Sequence, residues 1–252
     1  MVTGKAADIA AGGVCSWQLP PDPSCAQASR SLIRTTMTTL GLDAELIDAA
    51  VLAVSEQATN ALLHGTRTES YEPVVPAELW VWARTAPTPQ LVVAVFDTGR
   101  DQWPGVGDGE LLDEHGKGIG IVAAVAQAWG THLSRARLSP RREPGKVVWS
   151  AFGLPGPWPD PGSFAPPGRT ARHLATLLSA RGAEGVGHRD ERGVSLVTVP
   201  LSRGGGLNIW IEPKRCTFTD TDGTRVQRLV IDISDLAEHL VRRIEEDRAR
   251  SG

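Results

Sequence analysis

Residues 50–65, Ala-Val-Leu-Ala-Val-Ser-Glu-Gln-Ala-Thr-Asn-Ala-Leu-Leu-His-Gly, decide the fold of this chain. Their apolar residues recur at helical spacing with no Pro and no Gly before residue 65, which predicts an amphipathic helix. Glu56 and Asn60, four residues apart, project side by side from one face. A carboxylate can accept a proton, and an amide oxygen can ligate Mg²⁺. Standing alone, the pair fits a solvated helix face better than a site, and the sequence downstream reverses that preference.

Composition is that of an ordinary globular protein and argues against nucleic acid as the partner. The 252 residues carry a formal net charge of −3, and neither half of the chain is basic. Eight tryptophans could form a stacking platform for single strands. Four of them, Trp80, Trp82, Trp129 and Trp149, fall on predicted strands or at a helix end, which indicates core or protein-contact positions instead.

The start of the chain and its cysteines predict a cytoplasmic protein without a membrane span. The first residues lack the hydrophobic segment of a signal peptide, and no apolar run is long enough to cross a bilayer. Cys15, Cys25 and Cys216 are odd in number and lack metal-ligand spacing. We therefore expect reduced thiols that behave as small buried hydrophobic residues.

Patterning divides the chain into a tail, a first domain, a linker and a second domain. Residues 1–12 are small and polar and predict a flexible tail. Residues 13–153 predict one domain with strands at 13–19, 78–85, 91–96, 131–137 and 147–152 and helices at 24–40, 43–65 and 121–129. In the strand 78–85, Leu79, Val81 and Ala83 face one side while Trp80 and Trp82 face the other.

Residues 154–168 predict a linker, because the stretch 153–168 holds six prolines and four glycines. Residues 169–252 predict a small α+β domain of unknown role, with helices at 169–181 and 234–248, strands at 194–200 and 207–212, and a hairpin turn at 220–223. Since few contacts should cross such a linker, we expect this second domain to fold independently.

A glycine-rich segment, Gly116-Lys117-Gly118-Ile119-Gly120, precedes the predicted helix 121–129. Glycines let the backbone approach an anion closely, and the free N–H groups of a helix N-terminus favour phosphate. The segment is neither a Walker A loop, because Gly118 stands where Ser or Thr should follow Lys117, nor a dinucleotide fingerprint, because Ile121 replaces its last Gly. Alone, it is equally consistent with a glycine hinge.

Taken in order, three elements resemble the nucleotide-binding boxes of the GHKL ATPase superfamily: the Glu-x-x-x-Asn helix, an apolar strand ending in Asp97-x-Gly99, and a lid-like loop entering Gly-x-Gly-x-Gly. More narrowly, residues 14–152 resemble the actinobacterial form of anti-sigma-factor serine kinases of the SpoIIAB/RsbW type. The matching segments are Leu-Pro-Pro-Asp-Pro at 19–23, Val-Ser-Glu-Gln-Ala-Thr-Asn-Ala-Leu-Leu-His-Gly at 54–65, Glu-His-Gly-Lys-Gly-Ile-Gly-Ile-Val at 114–122, Ala-Trp-Gly at 128–130 and Gly-Lys-Val-Val-Trp at 145–149.

The resemblance implies an α+β fold, the Bergerat or GHKL two-layer α/β sandwich, with a mixed, mainly antiparallel sheet and helices on one face. It implies ATP and Mg²⁺ as cofactors. Asn60 would ligate Mg²⁺, Asp97 would accept a hydrogen bond from the adenine amino group, and Gly99 would let the base lie against the backbone. The phosphates would meet Gly116, Gly118 and Gly120 with Ile119 between them, Lys117 would add charge, and Glu56 would be the general base.

One departure and two histidines qualify this assignment. Asp101 fills the second glycine position of the box Asp-x-Gly-x-Gly and places a carboxylate near the expected nucleotide. His64 and His115 flank the site in sequence but lack the spacing and partners of metal ligands, so they are interpreted as contour residues.

The resemblance leads to two classes of function. The first is a cytoplasmic serine kinase that binds a sigma factor and phosphorylates a STAS-type antagonist. The alternative is an ATP-sensing sequestering module without phosphotransfer, and Glu56 favours the kinase because a pure binder needs no base. The catalytic half of a histidine kinase is less favoured, since no helix before residue 14 could carry a phospho-accepting His. A homodimer is also compatible with the resemblance.

Overall fold

A computed structural model describes residues 2–65, 74–101, 103, 117–155, 164–202 and 204–251. Its helices are α1 (Ala6–Ala10), α2 (Cys25–Thr39), α3 (Ala44–His64), α4 (Lys117–Val125), α5 (Pro167–Ala180) and α6 (Ile233–Ala249). Its strands are β1 (Val2–Thr3), β2 (Val14–Gln18), β3 (Glu78–Arg84), β4 (Gln90–Asp97), β5 (Ala128–Arg135), β6 (Pro144–Gly153), β7 (Gly187–Glu191), β8 (Val194–Pro200), β9 (Gly206–Ile211), β10 (Arg215–Thr219) and β11 (Arg225–Leu229).

The first six strands form one sheet in the order β1-β2-β3-β4-β6-β5. Every ladder between its described strands is antiparallel, so the prediction of a mixed sheet is wrong. All residues of β4 are buried because it lies in the middle of the sheet with both faces covered. The predicted α+β class and the two-layer sandwich of helices on a sheet are confirmed.

The two faces of β3 divide as the alternation predicts. Leu79, Val81 and Ala83 join the core that the sheet forms with α2 and α3, whereas Trp80 and Trp82 lie in a separate apolar cluster on the opposite face. Contrary to the sequence prediction that no run is long enough, α3 could cross a membrane by length and composition, but half of that apolar window is buried inside the protein. We therefore interpret α3 as a core helix. The three cysteines are free and buried, as predicted.

The prediction of a flexible tail at residues 1–12 is wrong for its described part. β1 pairs with β2, with Val2 opposite Trp17, and Ile9 on α1 is fully buried in the main core. Gly12 follows with φ +83°, a conformation that favours glycine. Because one buried isoleucine among small residues produces no periodicity, the sequence alone did not reveal this anchoring.

Residues 164–251 contain a second antiparallel sheet in the order β11-β10-β9-β8-β7, with α5 and α6 packed on one of its faces. The predicted helices, the strands at β8 and β9 and the hairpin are present, whereas β7 was not predicted because all five of its residues are exposed and polar or glycine. The predicted linker ends early, since α5 begins at Pro167, and residues 156–163 of it lie outside the described residues.

Helix α6 contacts both sheets, and it covers the Trp80 face of the first one, so that sheet carries helices on both faces and the prediction of helices on one face is wrong. At their interface the Glu238 carboxylate lies in a buried group of partners that we call the Glu238 cluster. Arg181 and Arg137 donate to its Oε2 at 3.0 and 3.1 Å, and Ser134 and His132 contact its Oε1. Nearby, Trp82 Nε1 donates to Asp235 at 3.0 Å. The expectation of few contacts across the linker is therefore wrong.

Candidate nucleotide-binding site

The helix that carries the predicted base and metal ligand begins and ends as its sequence indicates. Asp43 caps α3 by accepting a hydrogen bond from the Leu46 amide at 2.8 Å, and Gly65 follows its last residue. Glu56 and Asn60 are both partly buried on the predicted shared face. Next to them, Gln57 is buried and its side chain donates to Ser150 Oγ of β6 at 3.3 Å, so the orientation of the helix on the sheet is defined.

Helix α4 brings Gly118 against this pair. A Cβ on Gly118 would lie 2.9 Å from Glu56 Oε2 and 3.4 Å from Asn60 Nδ2, so glycine lets the backbone of α4 approach both side chains closely. Ile119 is buried in the next position, and Gly120 faces open space. The carboxylate, the amide and the first turn of α4 therefore meet at one place.

Helix α4 begins four residues earlier than the sequence predicts. The helix was expected to begin at residue 121, but α4 begins at Lys117, so Gly118, Ile119 and Gly120 lie in its first turn. Burial of Ile119 and Val122 outweighs the poor helix propensity of glycine. The backbone N–H groups of a first helical turn have no partner within the helix and can donate hydrogen bonds to an anion. Gly116 lies outside the described residues, as does the side chain of Lys117.

Asp97 stands at the end of β4, nearly buried, with its carboxylate directed at neighbouring backbone. Its Oδ1 accepts from the Gly99 amide at 2.8 Å and from Lys146 Nζ at 2.6 Å. A Cβ on Gly99 would lie 3.2 Å from the same oxygen and would collide with the His64 carbonyl oxygen. Thr98 Oγ1 donates to the Gly65 carbonyl at 2.9 Å, which joins this turn to the end of α3.

Lys146 was missed as a site residue, although the segment that contains it was among those quoted for the resemblance. It lies directly opposite Asp97 in the register of β4 and β6, is nearly buried, and also donates to the Gly99 carbonyl at 2.6 Å. A lysine within an otherwise apolar strand was the available signal. Burial raises the pKa of Asp97, and the Lys146 charge and the two hydrogen bonds offset that rise only in part.

Three further residues, Asp101, His64 and His115, were predicted to lie beside the nucleotide site. Asp101 and His64 are exposed, and His115 lies outside the described residues. Arg100 turns away toward α6, where its Nη1 lies 3.5 Å from Glu245 Oε2. Among the described residues no group of three His, Cys, Asp or Glu side chains could hold a metal.

The donors fit ATP with Mg²⁺, because Mg²⁺ commonly takes one or two protein oxygens and completes its shell with water and substrate phosphate. Asn60 would supply the protein oxygen, the first turn of α4 beside it would receive the phosphates, and Asp97 and Gly99 would receive the adenine base. The same chain thus offers a position for each part of the nucleotide.

Comparison with known proteins agrees with this geometry. The family model of the histidine kinase-like ATPase domain matches residues 19–148, slightly more than half of the chain. The matched range begins at the Leu-Pro-Pro-Asp-Pro segment, contains α3, α4 and Asp97, and includes Lys146. No curated protein shows significant similarity to the chain.

Proposed function

The chain belongs to the family of histidine kinase-like ATPase domains, and on that premise we propose that it is a cytoplasmic serine protein kinase of the anti-sigma-factor type. In this proposal it binds Mg·ATP, sequesters a sigma factor and phosphorylates a serine of a STAS-type antagonist. The family supports ATP binding and a regulatory role, and the ordered motifs quoted above favour the SpoIIAB/RsbW type of kinase.

The observation that carries the proposal is the meeting of Glu56, Asn60 and Gly118. Glu56 lies one helical turn from the predicted metal ligand, and the backbone at Gly118 packs directly against both side chains. A hydroxyl oxygen that attacks the γ-phosphorus must lose its proton, and a carboxylate at that place can accept it as the bond to the ADP oxygen breaks. A protein that only bound ATP would have no use for a carboxylate there.

The exposed surface of α3 supports a protein substrate. Leu52 and Leu63 are 43% and 66% exposed. They are eleven residues apart, which is about three helical turns, so they lie on the same side of the helix. Glu56 lies between them in sequence and projects only about 40° away from Leu52. Large apolar side chains beside a general base suit the docking of a folded partner better than the binding of a small polar acceptor.

The experiment compares Glu56→Gln with Asn60→Ala in the full chain. Mg·ATP binding is measured by isothermal titration, and phosphotransfer is followed with γ-labelled ATP against candidate STAS proteins. Glu56→Gln keeps the shape and removes the base, so ATP should still bind while transfer falls by about 10²- to 10⁴-fold. Asn60→Ala removes the metal ligand, so binding and transfer should fall together. Association with the sigma partner should survive Glu56→Gln.

Glu45→Gln is the matched control, because Glu45 is an exposed carboxylate in the first turn of the same helix. It should leave binding and transfer unchanged. If the wild type and Glu56→Gln bind ATP equally and neither labels any STAS candidate, the kinase proposal fails, and the sequestering module without phosphotransfer becomes the better account.

A further inference from the structure

A buried ion pair lies at the end of the candidate site where the adenine of the nucleotide is expected. Lys146 and Asp97 face each other across β4 and β6, with side chains only 4% and 5% exposed. Their Nζ–Oδ1 distance is 2.6 Å. Gly145, next to Lys146, is also required, since a Cβ there would collide with the Asp97 carbonyl oxygen.

The hydrogen bonds of this pair leave one donor and one acceptor beside each other. An ammonium has three N–H donors. Among the described residues Lys146 directs two of them to Asp97 Oδ1 and the Gly99 carbonyl. The hydrogen bonds that Asp97 accepts there, from Lys146 and the Gly99 amide, both fall on Oδ1. Within the part of the chain that the structure describes, the remaining N–H and the second carboxylate oxygen, Oδ2, have no further partner and can meet a ligand.

We propose that Lys146 and Asp97 recognise the base of the nucleotide together. Asp97 Oδ2 accepts from the amino group of adenine, and the remaining Lys146 N–H donates to a ring nitrogen next to that amino group. This inference rests on the proposed function for the presence of a nucleotide, and it adds Lys146 as a specificity-determining residue of that site.

Adenine fits the pair because its amino donor at C6 is flanked by ring nitrogens N1 and N7, which are acceptors. Guanine presents a carbonyl oxygen at C6, and that oxygen would face the Asp97 carboxylate without a hydrogen atom between them. The two contacts that read adenine are both charge-assisted. Guanine meets the same two groups only in a shifted position, with N1–H on Asp97 and O6 on Lys146, so the deaza analogues and not GTP carry the test.

A purely structural role for Lys146 predicts a different outcome. If the lysine only neutralised Asp97 and tied β6 to the turn at Gly99, its loss would weaken all nucleotides by the same factor. Direct contact with a ring nitrogen makes the loss depend on whether that nitrogen is present. Nucleotides that differ by one base atom separate the two roles.

The experiment titrates the full-length wild type and Lys146→Met with the magnesium complexes of ATP, 1-deaza-ATP, 7-deaza-ATP and GTP. The deaza analogues replace N1 or N7 by C–H and keep the amino group. We expect the wild type to bind one of the two analogues about 10- to 100-fold more weakly than ATP, which identifies the ring nitrogen in contact. Lys146→Met should bind ATP and that analogue with equal, weakened affinity.

Lys214→Met is the control, because Lys214 is exposed and belongs to the connection between β9 and β10 of the second sheet. It should keep the wild-type ratios, and thermal melting by circular dichroism establishes that each variant is folded. The inference is overturned if the wild type binds ATP and both deaza analogues alike, a result that does not depend on whether Lys146→Met folds. It is also overturned if Lys146→Met retains the wild-type ratio. Absence of binding of all four nucleotides to the wild type would instead overturn the proposed function itself.

Discussion

Asp97 and Glu238 are both buried carboxylates beside the first sheet, yet they differ in how completely their oxygens are used. Glu238 accepts from Arg181 and Arg137 on one oxygen and contacts Ser134 and His132 with the other. The hydrogen bonds of Asp97 among the described residues all fall on Oδ1. A carboxylate with partners on both oxygens holds two parts of a protein together, whereas one with a free oxygen can bind a ligand.

The pKa directions of the two groups agree with this difference. Burial alone would raise the pKa of Glu238, but the charges of Arg181 and Arg137 and the contact with His132 outweigh it and hold that pKa well below its usual value. At Asp97 burial outweighs the single lysine and the backbone amide, so its pKa is raised. In the Glu238 cluster, burial and the neighbouring Arg181 lower the pKa of Arg137 to about 10.

The largest effect is expected from Glu238→Ala. The change leaves Arg137 and Arg181 buried without their carboxylate, so the free energy of unfolding should fall by about 3–5 kcal/mol. Urea unfolding followed by circular dichroism measures it. Glu184→Ala removes an exposed glutamate in the same part of the chain and should change stability by no more than about 0.5 kcal/mol. A loss below about 1 kcal/mol for Glu238→Ala would mean that the cluster is not an anchor.

Asp97→Asn should act on the ligand. The amide places a donor opposite the adenine amino group, so ATP binding should weaken by about 1–3 kcal/mol, or about 5- to 150-fold. Titration calorimetry with Mg·ATP measures the change. Asp48→Asn, which changes an exposed aspartate of α3, is the control and should bind as the wild type does. Unchanged affinity in Asp97→Asn would remove this residue from the site.

Acidification is expected to have the smallest effect of the three changes. It should distinguish Asp97, which acts on ATP affinity, from Glu238, which acts on stability. Because the folded-state pKa of Asp97 is raised, its acceptor oxygens begin to protonate at a pH above 3.8, and ATP affinity falls as pH decreases toward that value. Because the folded-state pKa of Glu238 is depressed, its stabilisation is fully present above about pH 4.5 and is lost only as pH falls through the folded-state value. At half protonation of Asp97 the affinity should fall by about twofold.

The test measures ATP affinity and circular dichroism at matched pH values between 7 and 4.5. Asp97→Asn is the reference, because it retains the protonation of the nucleotide phosphates and lacks that of Asp97. The wild type should show the additional decrease in affinity while its fold is intact. Loss of the fold before any additional loss of affinity would reverse the assignment of the two groups.

Local pattern predicted those parts of the site that lie on one element. The spacing of Glu56 and Asn60 determines that they share a face, and the end of an apolar strand places Asp97 at the edge of the sheet. Lys146 was missed because its meaning depends on strand register: β6 pairs with β4 so that residues 97 and 146 are opposite. No spacing along the chain contains that pairing.

The sequence by itself determined the helices other than α1, most strands, the two faces of β3 and the order of the nucleotide-binding motifs, because each depends on periodicity or on residues close together in the chain. Only the tertiary structure decided that α6 covers the Trp80 face, that residues near the N-terminus are anchored through Ile9, and that Asp97 meets a lysine. Asp97 and Lys146 are 49 residues apart, and Trp82 and Asp235 of α6 are 153 residues apart. Burial and charge pairing at such separations arise from the packing of whole elements, which no local window of sequence records.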